Sequence, residues 1–339
     1  MCVTTTGKQR MLRKLLTTAM LAAGVMATPA SAAEEINFGI ISTESSSNLK
    51  TIWQPFLADM EKATGLKINA FFASDYAGII EGMRFKKVQI AWYGNKSAME
   101  AVDRAEGEVF AQTVAKNGSE GYYAHILVHK DSPYQNLDDI LKCDKSLDFG
   151  IGDPNSTSGF LVPTTFVFSA KGIDPKQCFK TVRNANHEAN ALAVANKLVH
   201  AAANNSENLE RIEKTAPDAR KNIRVIWTSP LIPSDPLVWR KDLDAGLKKK
   251  IADFIFGYGN SGNAEADAKA QEVLSALQWA PFKKSDNNQL LPIRQMEVNK
   301  EIDKVKADDK LATAEKTAKL AALQSQFDAI GKQIATLKK

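Results

Sequence analysis

The segment Gly152-Asp153-Pro154-Asn155-Ser156-Thr157-Ser158-Gly159-Phe160 concentrates the chemistry of this chain. It lies between a predicted strand at residues 147–151 and a predicted helix at 160–170. The first N–H groups of a helix have no partner inside it, and the helix dipole puts partial positive charge at the same end. Three successive hydroxyl residues there add side-chain O–H donors, and the combination makes an anion site. An ordinary N-cap would account for a single Ser or Thr. Three in a row, with Gly159 as a point of close approach, tip the reading towards an anion cradle.

Nothing nearby in the sequence supplies a reaction centre to go with it. No Gly-Lys-Ser/Thr follows, so the segment is not a Walker loop, and it is not a G-x-S-x-G nucleophile elbow. His187-Glu188 opens like a zinc-protease motif, but position 191 is Ala. His125 and His129 share one face of a predicted strand and stand too far apart to ligate one metal. No Ser/His/Asp or Cys/His set presents itself.

The elements that must position the cradle alternate. Strands are predicted at 36–41, 66–72, 88–92, 126–128, 147–151 and 224–227. Leu49, Ile52, Trp53, Phe56, Leu57 and Met60 share a helical face, and Gly65 ends that helix. Further helices are predicted at 79–85, 160–170, 188–197 and 207–214. This alternation predicts parallel sheets covered on both faces. Lys116-Asn117-Gly118-Ser119-Glu120-Gly121 and Ser229-Pro230-Leu231-Ile232-Pro233-Ser234-Asp235-Pro236 read as connectors between lobes. Residues 122–228 then form one lobe, and residues 34–115 with 236–290 the other. Ligands of such folds sit beyond the carboxyl ends of the strands, here between the lobes. From about Pro292 onward the composition shifts to Lys, Ala, Asp and Glu, giving a C-terminal helical extension over 292–339. Leu320, Leu323, Phe327, Ile330, Ile334 and Leu337 make an a/d seam there. Either a second copy, as a homodimer, or the protein's own lobe would cover it.

The chain has 339 residues, 44% hydrophobic and 24% charged, enough for two modest cores. Lys8, Arg10, Arg13 and Lys14 precede an apolar run at 15–26 and then Ala30-Ser31-Ala32, the pattern of a secretory signal peptide over residues 1–32. Met11 offers an alternative start. The run is too short to span a bilayer, and export from the cytoplasm is expected. Residues 1–32 carry four basic and no acidic residues, so the formal charge of +5 falls to +1 beyond them. That near-neutral balance gives no reason to expect nucleic-acid binding. Cys2 does not sit at a cleavage site, so no lipid anchor is expected. Cys143 and Cys178 could pair in an oxidising compartment or remain two small core residues.

Asn37-Phe38-Gly39-Ile40-Ile41-Ser42-Thr43-Glu44, Asp75-Tyr76-Ala77-Gly78-Ile79-Ile80 and Ile90-Ala91-Trp92-Tyr93-Gly94-Asn95 are distinctive stretches. So are Gly152 through Phe160, His187-Glu188, Asn204-Asn205-Ser206-Glu207-Asn208 and Ser229 through Pro236. Taken in order from about residue 36 to 295, they resemble the periplasmic phosphonate-binding proteins of ABC transporters. The resemblance implies a type II periplasmic binding protein fold: two α/β lobes joined by a two-strand hinge. It implies a binding protein, not an enzyme, with no cofactor, serving an inner-membrane permease and its ATPase. By motif, Ser156, Thr157 and Ser158 would hold the phosphonate oxygens, with His187 and Tyr122 adding donors and Tyr76 approaching from the other lobe. Glu207 and Asp235 would bind the ammonium of an aminoalkylphosphonate such as 2-aminoethylphosphonate. Two positions depart from the family pattern. Tyr123 stands where a Trp is common, and Asn184-Ala185-Asn186-His187 has Asn for a usual Gly.

The chemistry is coherent on its own terms. Neutral donors at a helix terminus hold an anion reversibly, and carboxylates elsewhere in the pocket suit a zwitterion. Singly, Glu207 would be a first-turn acid favoured by the dipole and Asp235 a turn residue between prolines. Two other classes compete: a receptor for a smaller oxyanion such as phosphate or phosphite, and a secreted enzyme acting on phosphoryl compounds. The first would leave Glu207 and Asp235 unpaired. The second would need a nucleophile or metal set.

Overall fold

The computed structural model describes residues 34–337; the signal-peptide reading falls on residues outside that range. β1 (Glu35–Ile40) leads into α1 (Ser46–Thr64). α1 buries Leu49, Trp53, Phe56, Leu57 and Met60 along the predicted stripe. Ser45 caps its start, and Gly65 ends it in the left-handed region at φ 68°. β2 (Lys67–Phe72), α2 (Tyr76–Arg84), β3 (Ile90–Trp92), α3 (Asn95–Arg104) and β4 (Gly107–Ala115) follow. After the short β5 (Gly121–Tyr122) come β6 (Ala124–His129), α4 (Leu137–Ile140), β7 (Asp148–Ile151), α5 (Pro175–Cys178) and β8 (Thr181–Asn184). Then come α6 (His187–Ala195), β9 (Ala201–Asn205), α7 (Ser206–Thr215), α8 (Pro217–Lys221) and β10 (Ile223–Thr228). A second short strand, β11 (Ile232–Pro233), leads to β12 (Pro236–Arg240), α9 (Ala245–Gly257), α10 (Ala264–Ala276) and β13 (Trp279–Lys284). Two long helices close the chain, α11 (Leu291–Ala307) and α12 (Thr313–Leu337).

The strands form a six-stranded sheet, in the order β13-β4-β12-β3-β1-β2, and a five-stranded sheet, β10-β6-β9-β7-β8. β5 and β11 pair as a two-stranded ribbon where the chain crosses from one to the other and back. Alternation of strand and helix predicts parallel sheets, and the sheets are instead mixed. β1 is parallel to β2 and β3, and β7 to β8 and β9. β12 is antiparallel to β3 and β4, β13 to β4, and β6 to both β9 and β10. The reason is the double crossing. The chain leaves the first sheet along β4 and returns along its neighbour β12; it enters the second along β6 and leaves along its neighbour β10. Adjacent outgoing and returning strands must run in opposite directions.

Each sheet has its own core. Phe38, Trp53, Phe56, Trp92 and Trp279 meet ring against ring beneath the six-stranded sheet. Phe149, Phe168 and Phe179 do the same beneath the other. β9 is Ala201-Ala202-Ala203-Asn204-Asn205, all buried between β6 and β7. Alanine's propensity is helical, and the central place in the sheet overrides it. The helix predicted at 160–170 is present in altered form. It opens with π-helical turns over Thr157–Leu161 and Thr164–Phe168, a geometry that recurs at functional sites. Cys143 and Cys178 are joined by a disulfide.

The C-terminal seam packs within the chain. Leu320, Leu323, Phe327, Ile330 and Ile334 of α12 lie against Leu291, Val298 and Ile302 of α11. Only Leu337 of the six seam residues stays well exposed. A chain ending after Lys310 should therefore lose about 1–2 kcal/mol of stability as that α11 face meets water. Comparison of the two chains' urea midpoints checks this, and equal midpoints would make α12 an idle extension.

Candidate ligand-binding site

The cradle loop is closed on itself. Gly152 N donates to the Gly159 carbonyl at 2.7 Å, and a Cβ on Gly152 would stand 2.6 Å from the Gly159 backbone. Gly159 thus lets the two ends of the loop meet, where the sequence reading assigned it to ligand approach. Ser156 is the N-cap of the following turn: its Oγ accepts from Gly159 N at 3.0 Å. The two readings of this loop coexist, because Ser156 caps while Thr157 and Ser158 lie on the first turn facing the same space. All three are buried.

Around them the structure brings together every residue nominated from the sequence. Tyr76, Tyr122, Ser156, Thr157, Ser158, His187, Glu207 and Asp235 line one small cavity between the sheets. Tyr76 enters at the start of α2 and Tyr122 from the hinge strand β5. His187 opens α6, Glu207 lies in the first turn of α7, and Asp235 directly precedes β12. Ile41, Thr43, Gly94, Asn205 and Arg211 complete the lining. The sequence reading did not nominate these five. Arg211 was accessible to it, since residues four apart on a helix share a face and Arg211 follows Glu207 at that spacing. Asn205 was too, as the N-cap of α7. Gly94 had no such signal: a Cβ there would stand 3.3 Å from Thr157 Oγ1, a contact made only by folding.

His187 is held by its neighbours. Its Nε2 lies 3.4 Å from both Ser156 Oγ and Ser158 Oγ and 3.3 Å from Asn205 Nδ2. Asn205 Oδ1 accepts from Asn208 N at 2.7 Å, which fixes the amide so that Nδ2 donates. Nε2 is then the acceptor and the ring proton sits on Nδ1, which has no hydrogen-bond partner among the described residues. Burial pushes the imidazole pKa down to about 3, with the Arg211 charge acting in the same direction. His187 is therefore a neutral donor at any physiological pH. Burial likewise raises Tyr76 and Tyr122, which remain protonated hydroxyls. The cradle side of the cavity offers neutral donors throughout.

The acidic residues carry opposite stress. Burial pushes Asp235 well above the ordinary carboxylate range, and the nearby Glu207 adds to it. Glu207 is raised by burial too, while the Arg211 charge pulls it back. The Tyr122 hydroxyl beside Asp235 pulls its pKa back down, and Asp235 Oδ1 is buried with no partner among the described residues. Arg211 forms a buried ion pair with Glu44. One cation thus serves three carboxylates in a space from which water is largely excluded. A buried carboxylate oxygen in this state demands a donor, and a ligand cation would supply one.

Two mixed α/β lobes, a two-strand crossing and a polar cleft between them define a periplasmic solute-binding protein of the type II fold. The family described as ABC transporter, phosphonate, periplasmic substrate-binding protein matches residues 38–290. The phosphonates-binding periplasmic protein of Escherichia coli K12 is 54% identical over 322 residues, 94% of this chain and 93% of its own length. The crystal structure of a binding protein component of an ABC phosphonate transporter from Pseudomonas aeruginosa superposes with a TM-score of 0.86 at 54% identity, covering 91% of this chain and all of that one. A Prochlorococcus marinus protein solved in complex with methylphosphonate shares the fold, with a TM-score of 0.69 at 21% identity over 79% of this chain and 98% of that one. The chain belongs to the phosphonate-binding periplasmic components of ABC transporters. As such a component it works with a membrane permease and its ATPase, and its relatives are binding proteins rather than enzymes. Among the described residues no helix is long and apolar enough to cross a membrane.

Proposed function

We propose that the protein captures aminoalkylphosphonates, 2-aminoethylphosphonate among them, in the cleft between its lobes and delivers them to the permease. The phosphonate oxygens take O–H donors from Ser156, Thr157, Ser158, Tyr76 and Tyr122 and the Nδ1–H of His187. The ammonium meets Glu207 and Asp235. The observation that carries this reading is the buried pair of acids with its unpartnered Asp235 Oδ1 in the same cavity as the hydroxyl cradle. A phosphate- or phosphite-sized ligand has no cation for that pair. Residues 34–115 and 236–290 move as one lobe against 122–228, turning on the crossings at residues 116–121 and 229–236. The protein reaches the periplasm through the signal peptide at residues 1–32. A homodimer through the C-terminal helix would use the outer face of α12, because its seam is taken by α11.

Calorimetric titration with 2-aminoethylphosphonate, methylphosphonate, ethylphosphonate, phosphate and phosphite tests the ligand. 2-Aminoethylphosphonate is expected to bind tightest. Phosphate or phosphite binding tightest would replace this reading with that of an inorganic oxyanion receptor. Thr157→Val should weaken every phosphonate alike, by about 1.5–3 kcal/mol, because the hydroxyl donates to a headgroup they all share. Unaltered affinities would remove the cradle from the site.

A further inference from the structure

Three helices of the six-stranded-sheet lobe direct their N-termini at the other lobe, and each is met there by an oxygen acceptor. Glu188, in the first turn of α6, spans the cleft to α1: its Oε2 accepts from Ser45 N at 2.8 Å and its Oε1 from Asn48 Nδ2 at 2.6 Å. Asp153 Oδ2 accepts from Tyr76 N, the first amide of α2, at 3.2 Å. Thr157 Oγ1 accepts from Lys96 N of α3 at 2.8 Å.

The helices have deficits that these contacts fill. In a capping box the residue at N3 is a Glu or Gln that reaches back to the N-cap amide. α1 has Ser45 at its N-cap but Asn48 at N3, and the acid that takes the Ser45 amide is Glu188 from across the cleft. α3 begins at Gly94, which has no side chain to cap with, and Thr157 does so instead. α2 has Asp75 as its own cap, spent on Gly78 N at 2.8 Å, which leaves the Tyr76 amide to Asp153. Carboxylates at helix N-termini are further favoured by the dipole.

We propose that Glu188 and Asp153, neither of which lines the cavity, are latch residues that hold the closed cleft by completing helix caps across it. Opening separates the lobes and hands these amides to water; closure restores the caps whatever ligand lies between. The latch therefore contributes a closure term common to all ligands, and removing part of it lowers the closed population and every apparent affinity by one factor. Ligand identity is read by the cavity, and residence time is set in part outside it. This rests on phosphonate binding in the cleft.

The test is Glu188→Ala, with Glu188→Gln as the conservative variant that keeps one carbonyl acceptor. Both are titrated with methylphosphonate and 2-aminoethylphosphonate, with dissociation rates from stopped flow and melting of the ligand-free protein. The latch predicts that Glu188→Ala weakens both ligands by the same factor, about tenfold. Dissociation should be faster by a similar factor and ligand-free melting unchanged, with Glu188→Gln intermediate. Four results would overturn it: wild-type affinity in Glu188→Ala, a loss confined to one ligand, a lowered ligand-free melting point with unchanged dissociation, or failure of both variants to fold. Wild-type protein that binds neither phosphonate would instead sink the ligand reading on which the latch stands.

Discussion

Neutralising Asp235 as Asp235→Asn is expected to cost 2-aminoethylphosphonate about 2–5 kcal/mol of binding while methylphosphonate loses little or gains. An ammonium drawn from water into a closed cleft needs counter-charge, or desolvation cancels the interaction. Asp235 is buried with an unpartnered Oδ1, so the asparagine keeps its volume and removes the charge alone. Methylphosphonate has no cation, and the variant relieves a buried carboxylate that it leaves unpaired. Glu207→Gln should act in the same direction, with a smaller loss, because Arg211 already offsets part of its charge. Titration of wild type and both variants with the two ligands checks the difference. Equal weakening for both ligands would mean that these acids support only the fold.

The same geometry gives binding a pH dependence with a definite sign. The free protein holds Asp235 protonated to higher pH than an ordinary aspartate, because burial and Glu207 disfavour the anion. The ligand's ammonium favours the anion, so 2-aminoethylphosphonate binding expels a proton wherever the free acid still holds one. Affinity for it should fall as the pH drops through that range. The ratio to methylphosphonate cancels most of the headgroup's own ionisation and isolates Asp235. His187 adds nothing to this trend, since burial keeps it neutral down to about pH 3.

Replacing Arg211 with methionine should destabilise the fold by about 3–5 kcal/mol at neutral pH, the cost of leaving buried charge without its partner. Arg211 pairs with Glu44 and also lowers the strain on Glu207 and Asp235. Without it, all three carboxyls shift further upward. The folded variant then binds more protons than its unfolded chain above the ordinary carboxylate range. Stability rises with pH where the unfolded state is the more protonated, so here it must fall as pH rises. The deficit relative to wild type should accordingly shrink between pH 7.5 and pH 5. Urea unfolding at both values measures it, and the double variant Arg211→Met/Glu44→Gln should recover part of the loss through their coupling. A deficit that is independent of pH would assign Arg211 a packing role only.

These two sites show why a binding protein needs charge that is poorly satisfied inside its own chain. Full internal pairing of Asp235 and Glu207 would stabilise the fold and leave a ligand cation nothing to gain. Arg211 and Glu44 form a buried ion pair, whereas Asp235 Oδ1 has no partner among the described residues. The cradle side of the cavity is built the other way, from donors that burial keeps neutral. That arrangement suits capture followed by release.

The hydroxyl cradle of Ser156, Thr157 and Ser158 was legible along the chain as a local pattern at a predicted helix start, whereas Tyr76, Tyr122, His187, Glu207 and Asp235 came only through the family resemblance. The α1 stripe and the Gly65 stop were legible for the same reason: a helix face and a positive-φ cap are written within a few turns. The disulfide between Cys143 and Cys178 was left open, since two cysteines say nothing of their separation in space. Strands β4, β8, β9, β12 and β13 escaped; β9 is three alanines and two asparagines, whose extended form comes from lying between β6 and β7. The mixed sheets escaped with them, since strand direction follows from where the chain crosses between lobes. The C-terminal seam was legible as a seam, but its spacing declares a partner without naming α11. The place of Thr157 on the Lys96 amide of α3, the reach of Glu188 to Ser45 and the pairing of Arg211 with Glu44 belong to the tertiary structure alone. Thr157 and Lys96, Glu188 and Ser45, and Arg211 and Glu44 stand tens to more than a hundred positions apart, and only closure of one lobe on the other brings their charges and donors within reach.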